Sequence, residues 1–382
     1  MNSVNREWAF DFGPGQPMKG YIGVSPQLRY DEEVGYGFEG NGQVNGRSRR
    51  QQELSVGETH HAEEHLIHSF CIPIGVNFVV KVPDGTYRVI AQMGDLLADT
   101  LTVLKAGESK AVLPPIPTIA GQFRTVMFTV PVRGGKLVLR FSGAAPRINV
   151  LNVSSAEETL TIFLAGDSTV TDQPSIGYPN AGWGQMLPQL FKHDVVVDNH
   201  AESGRSSRSF IDEGRLESIL EKMKAEDFLF IQFGHNDEKS DIPRGTEPFT
   251  TYKQYLKLYI DAARDQQARP VLVTPVHRRY FNEDGTLSDT HGDYIIAMKE
   301  LAMEEDVPLI DLAAESKLLY EAAGIEGSKD YFMWSYPGEY MNHSGGVEDN
   351  THFQERGALR LAELVIEGII KLDLQPLRMY VR

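Results

Sequence analysis

Up to about residue 152 the chain alternates apolar and polar positions in short stretches closed by turn signals. "NFVVKV" (Asn77 to Val82) stops at Pro83-Asp84-Gly85 and resumes in "TYRVIAQ", and "TVPVRGGKLVLRF" sets Gly134-Gly135 between two alternating runs. Strands of this kind with hardly a helical period between them predict an antiparallel β-sandwich. The polar stretch "NVSSAEE", Asn152 to Glu158, reads as a linker.

From Thr159 the period changes. Continuous apolar runs "TLTIFLAG", "VVVDNHA", "DFLFIQFG", "PVLVTP" and "VPLIDL" alternate with helical patterns such as "WGQMLPQLFKH", "SFIDEGRLESILEKMKAE", "YKQYLKLYIDAARDQQA" and "ALRLAELVIEGIIKL". Strand-helix repetition at this spacing predicts right-handed crossovers and a five-stranded parallel sheet covered on both faces. The chain therefore divides into a sandwich over 1–152 and an α/β domain over 159–382.

Ligands of open parallel sheets sit beyond the carboxyl ends of the strands, so the polar residues just past each strand are read together. The first strand ends in Gly166-Asp167-Ser168-Thr169, expected to open a helix; the second runs into "ESGRSSRS" with Gly204, the third into "HND" with Asn236, the fourth into "VHRRY". After the fifth comes a helical pattern and a long Gly- and aromatic-containing loop that ends in "EDNTHF". Ser168 is an inert hydroxyl until a base takes its proton, and His352 is the candidate base. Asp349, three residues earlier, is within local reach of Nδ1 and would leave Nε2 facing Ser168. Backbone N–H groups of Ser168 and Gly204 with the side-chain amide of Asn236 are donors of the kind a tetrahedral oxyanion needs. Asp167 and His235 stand beside these groups as candidate pocket residues. Each motif alone is an ordinary helix cap or turn; their joint order at the ends of successive strands carries the signal.

Net charge is −16, which repels polyanions and argues against nucleic-acid binding. No apolar run reaches the ~18 residues of a membrane span. The opening "MNSVNREWAFDFG" has neither a basic leader nor an apolar core with a cleavage site, so the expected location is the cytoplasm. Cys71 is the single cysteine and reads as a small buried hydrophobe. Against the acidic background, Arg205, Arg208, Arg278 and Arg279 follow the second and fourth strands and are candidates to grip a substrate carboxylate. The competing reading pairs them with Glu202, Asp212 or Glu283. Trp183 and Tyr178 are candidates to stack on a sugar face, with packing as the competing role.

Three patterns are set aside. "GYGFEG", Gly35 to Gly40, matches a dinucleotide fingerprint but opens no helix. "HAEEH", His61 to His65, with His60 and His68 nearby, has metalloprotease spacing, but a zinc site needs a helix carrying both histidines and a third ligand elsewhere, and this half reads as a sandwich. His235, Asp237, Asp349 and His352 form a conceivable metal set, but acyl transfer uses Asp349 and His352 without one. "YDEEVG" gives no calcium-ligand pattern, and no cofactor is expected.

The order of "GDST", "AESGRSS", "GHND" and "DNTH" resembles the SGNH, or GDSL-type, serine hydrolases over roughly residues 158 to 372. Thr169 replaces the leucine common there. With "GWGQ" and "TPVHRR" the chain looks most like the rhamnogalacturonan acetylesterases. The resemblance implies a flavodoxin-like sheet, a Ser168-His352-Asp349 triad and deacetylation of pectin-derived sugars. An esterase acting on another sugar such as acetyl-xylan, a carbohydrate-binding protein with an inactive hydrolase domain, and acyl transfer to a second sugar stay open. "WAFDFG", "YIGVSP" and "GYGFEG" resemble the galactose-binding-like modules that precede some such esterases. Sugar binding, walling of a cleft and homo-oligomer contacts stay open for that module.

Overall fold

A computed structural model describes residues 7–49, 66–107 and 109–382. "HAEEH" and His60 lie outside the described residues. The chain falls into two compact units, Met1–Thr159 with Lys192–Val196, and Leu160–Phe191 with Val197–Arg382. Among the described residues no helix is long and apolar enough to cross a membrane.

The first unit contains a five-stranded and a six-stranded sheet. One runs Phe123–Val132, Gly85–Gly94, Val150–Ser155, Glu7–Phe12, Ile22–Val24; the other runs Ile116–Thr118, Thr100–Ala106, Lys136–Ser142, Asn77–Lys81, Tyr36–Glu39, with Lys110–Ala111 also paired to Thr100–Ala106. Pairing is antiparallel except between Glu7–Phe12 and Ile22–Val24. Burial alternates strictly along Thr100–Ala106, as the pleat of a half-covered strand requires. Phe10, Phe12, Phe38 and Phe78 are fully buried at the centre, with ring centroids of the other three 4.9–5.4 Å from Phe78. Cys71 is buried in the same core, and desolvation raises its thiol to about 12.

The turns at Pro83–Gly85 and Gly134-Gly135 each carry the chain from one sheet to the other. They also touch, Gly135 N–H donating to Asp84 Oδ1 at 2.7 Å and Val82 N–H to the Gly135 carbonyl at 3.0 Å. One expectation needs correction. The supposed linker is a strand for Asn152–Ser155, paired on both edges as far as Ser154.

In the second unit the sheet order is Val195–Asn199, Leu160–Gly166, Phe228–Gln232, Arg269–Val273, Leu309–Ile310. The pairs on the far side of Leu160–Gly166 are all parallel. This order reverses direction beside Leu160–Gly166, creating a crevice at the carboxyl ends where Ser168 emerges. Helices Lys253–Asp265, Asp293–Glu304, Leu312–Gly327 and Glu355–Lys371 pack over it. Two helical patterns are broken as their breakers demand: Pro188 turns the first into Trp183–Met186 plus a 3₁₀ turn, and Gly214, at φ +71°, splits the second into Ser207–Asp212 and Arg215–Leu220.

Two further departures concern the rim. Ser168 does not open a helix but sits in a single turn closed by Val170 and Thr171 N–H on the Asp167 carbonyl. The long loop before His352 contains a hairpin, Phe332–Ser335 with Val347–Gln354, which Asn180–Ala181 extends to three strands.

Phe78→Ala removes the ring that joins three other phenylalanines. We expect a loss of about 3–5 kcal/mol in urea unfolding of the full chain; a loss under about 1 kcal/mol would show that this cluster is not the centre of the core.

Candidate active site

The turn after Leu160–Gly166 is fixed from below. Asp167, wholly buried, accepts hydrogen bonds on Oδ1 from Thr169 N–H (2.9 Å) and Thr169 Oγ1 (2.7 Å), while Oδ2 lies 3.3 Å from His235 Nδ1. Burial opposes the charge on Asp167, but His235 and the Thr169 donors hold its carboxyl below the ordinary range. Burial lowers His235 against the opposing pull of the Asp167 carboxylate. Gln232 Nε2 donates to Thr169 Oγ1 (2.7 Å), and Trp183 Nε1 donates to Gln232 Oε1 (2.9 Å). Gln173 Nε2 donates to the Ser168 carbonyl at 2.9 Å.

Above this platform Ser168 Oγ lies 2.9 Å from His352 Nε2, and His352 Nδ1 lies 2.7 Å from Asp349 Oδ2. Asp349 Oδ1 accepts from the backbone N–H of Thr351 (2.7 Å) and His352 (3.1 Å), which fixes the carboxylate within its own strand. Burial works against charging either partner. The His352 bond and charge nevertheless lower Asp349, and Asp349, with Asp167 at longer range, raises His352. With Nδ1–H directed to the carboxylate, Nε2 is the acceptor for the serine proton.

Among the described residues neither the Ser168 nor the Gly204 N–H donates to any protein acceptor. Gly204 has φ +83°, the left-handed region, with open space where a Cβ would stand. Asn236 is 7% exposed; one amide hydrogen goes to the Arg205 carbonyl (3.1 Å), leaving the second for a ligand. Asp237 ties these two turns together, accepting from Ser207 N–H and Oγ and from Thr246 Oγ1. Its complete burial pushes the carboxyl up to about 7 despite those donors.

Several candidates have other work. Trp183 is 1% exposed and cannot stack on a sugar; it braces Gln232. Arg205 pairs with Glu213 (3.0 Å), Arg208 with Asp212 (3.3 Å) and Arg278 with Glu238 (3.1 Å). Arg279 is 6% exposed and donates to Ser328 Oγ, Asn350 Oδ1 and the Ile325 carbonyl. The four guanidinium groups thus already have acceptors, and the carboxylate-grip reading loses its support. The sequence reading missed Gln173, Gln232 and Asp237 as supports. "GWGQ" was the available signal, since its Gln185 Oε1 also accepts from Gln173 N–H. Among the described residues no group of three or more metal-ligating side chains is assembled.

A family model described as GDSL-like Lipase/Acylhydrolase family matches residues 164–358. Another, Beta-agarase/YXIM esterase-like, galactose-binding domain-like, matches residues 8–156. The chain is 53% identical over 222 residues to rhamnogalacturonan acetylesterase RhgT of Bacillus subtilis (strain 168), covering 58% of this chain and 94% of that protein. It is 30% identical over 373 residues to uncharacterized esterase YxiM of the same strain, covering 95% and 90%. The crystal structure of YxiM from Bacillus subtilis superposes with a TM-score of 0.51 at 26% identity, over 97% of this chain and 99% of that one.

His352 should titrate above the ordinary histidine value of about 6.5 when followed by NMR. Asp349→Asn removes the raising influence and leaves the burial, so the titration should move down; an unmoved titration would mean that the pair is not formed.

Proposed function

Because the chain belongs to the GDSL-like lipase/acylhydrolase family and is a carboxylic ester hydrolase, we propose that it deacetylates pectin-derived rhamnogalacturonan oligosaccharides through a Ser168-His352-Asp349 triad. The contacts of 2.9 Å and 2.7 Å running from Ser168 Oγ through His352 to Asp349 carry the mechanistic part of this reading. The substrate part rests on the relative of 53% identity that bears the name rhamnogalacturonan acetylesterase.

The steps follow from the atoms. His352 Nε2 takes the Ser168 proton as Oγ attacks the acetyl carbonyl carbon, and Asp349 stabilises the imidazolium that results. The carbonyl oxygen, now an oxyanion, is met by the N–H groups of Ser168 and Gly204 and the free amide hydrogen of Asn236. The bond between the acetyl carbon and the sugar oxygen breaks as His352 returns its proton to that oxygen. Acetyl remains on Ser168. A water molecule, deprotonated by His352, attacks the acyl carbon, and collapse restores Ser168 and releases acetate.

Ser168→Ala should abolish acetate release from acetylated rhamnogalacturonan oligosaccharides while circular dichroism stays as in the wild type; undiminished turnover would refute the nucleophile. Asn236→Ala should lower kcat by about 10²–10³, and a loss below tenfold would remove it from the oxyanion site.

A further inference from the structure

The segment that carries Asp349 and His352 receives little from its own hairpin. Cross-strand register passes from Phe353 opposite Phe332 directly to Glu348 opposite Trp334, so Asp349 to His352 stand against the single residue Met333. On the other edge, Asn180–Ala181 reaches only Phe353 and Gln354. Asp349 and His352 are fixed to each other by the 2.7 Å contact and by the N–H groups of their own turn. The ladder does not fix the pair against Ser168. Irregularities of this kind re-aim side chains at the cost of ladder bonds, and the backbone they release needs another holder.

That holder comes from the parallel sheet. Arg279, in the loop beyond Arg269–Val273, donates its backbone N–H to the Asn350 carbonyl (2.8 Å) and its Nη1 to Asn350 Oδ1 (3.0 Å). Trp334 Nε1, from the facing strand, donates to the same Oδ1 at 3.0 Å, and the guanidinium lies over the Trp334 ring at 5.0 Å. The remaining donors reach the end of helix Leu312–Gly327, Nε to Ser328 Oγ (2.9 Å) and Nη2 to the Ile325 carbonyl. Asn350 directly follows Asp349, so whatever moves Asn350 moves the acid of the triad. The neighbouring Arg278 donates to the His235 carbonyl at 3.3 Å, beside Asn236. Two consecutive arginines thus touch the segments that carry the acid-base pair and the oxyanion amide.

Arg279 is 6% exposed and its acceptors are neutral oxygens, so among the described residues no ion pair offsets the burial of its charge. A methionine would fill the space without that cost. It would lack the planar fork that reaches three fixed acceptors at once.

We infer that Arg279 is a positioning residue, which through Asn350 sets the distance between the Asp349-His352 pair and Ser168. The inference rests on the triad reading of the site and deepens it.

Hydrolysis of an aryl acetate by the full chain tests this without reference to the sugar, in Arg279→Met, Arg279→Lys, Asn350→Ala and the double variant of Arg279→Met with Asn350→Ala. Arg279→Met and Asn350→Ala should each lower kcat per folded molecule about ten- to hundredfold, because a small misplacement of the base is enough, and leave KM within about twofold. Both break one link, so the double variant should be about as slow as the slower single one. Arg279→Lys keeps the charge without the fork and should stay closer to Arg279→Met than to the wild type. In Asn350→Ala the NMR titration of His352 should stay where it is in the wild type, since the pair is anchored within its own turn, while phosphonate labelling of Ser168 slows in step with kcat. A role in folding alone would lower the folded fraction and leave kcat per folded molecule unchanged. That result would overturn the inference, as would losses that multiply in the double variant or full activity in Arg279→Lys. Asn350 is only half-buried, so Asn350→Ala decides the matter if Arg279→Met does not fold. A wild type that hydrolyses the aryl acetate while phosphonate leaves Ser168 unlabelled would overturn the triad reading instead.

Discussion

A buried charge is costly unless it has partners, and Asp167 at the foot of the site takes two donors on Oδ1 while Oδ2 lies 3.3 Å from His235 Nδ1. Its carboxylate holds Thr169 through two donors and lies against His235, which immediately precedes Asn236. One side chain thus couples the turn that presents the hydroxyl to the turn that presents the amide. These turns end strands paired in register, Gly166 opposite Gln232, so the sheet sets their spacing before any side chain acts. Gln232 then closes the frame between Thr169 and Trp183. The hydroxyl can be precisely placed in a turn, without a helix, because this frame replaces the helix's own hydrogen bonds.

The opposite half of the machinery arrives differently. Asp349 and His352 lie on the strand Val347–Gln354, outside the parallel sheet, and the carboxylate is anchored by backbone N–H groups two and three residues on. That local anchoring explains why an Asp-x-x-His spacing suffices: acid and imidazole are oriented against each other before the strand is positioned against Ser168.

What could be read from the sequence follows this division. Continuous apolar runs announced the parallel strands, because strands buried on both faces carry no polar alternation. The residues at their ends, Ser168, Gly204 and Asn236, followed from strand order alone. The hairpin at Phe332–Gln354 was hidden because one of its strands has only four residues and the pair is irregular in register and only partly buried. Turns at Gly85 and Gly134 were visible as turns, yet which sheet each strand joins depends on contacts distant in the chain. Trp183 and the arginines carried two readings for one reason: residue type tells what a side chain is able to bind, while its actual partner, Gln232 or Glu213 or Glu238, is set by tertiary packing.

The central claim is that Ser168, activated by His352, forms the bond to the acyl group. Reaction with a serine-directed aryl phosphonate followed by peptide mass spectrometry tests it without reference to substrate identity. The account predicts a single adduct on the peptide containing Ser168, formed far more slowly in His352→Ala. An adduct on another residue, or equal labelling rates in the two proteins, would contradict it.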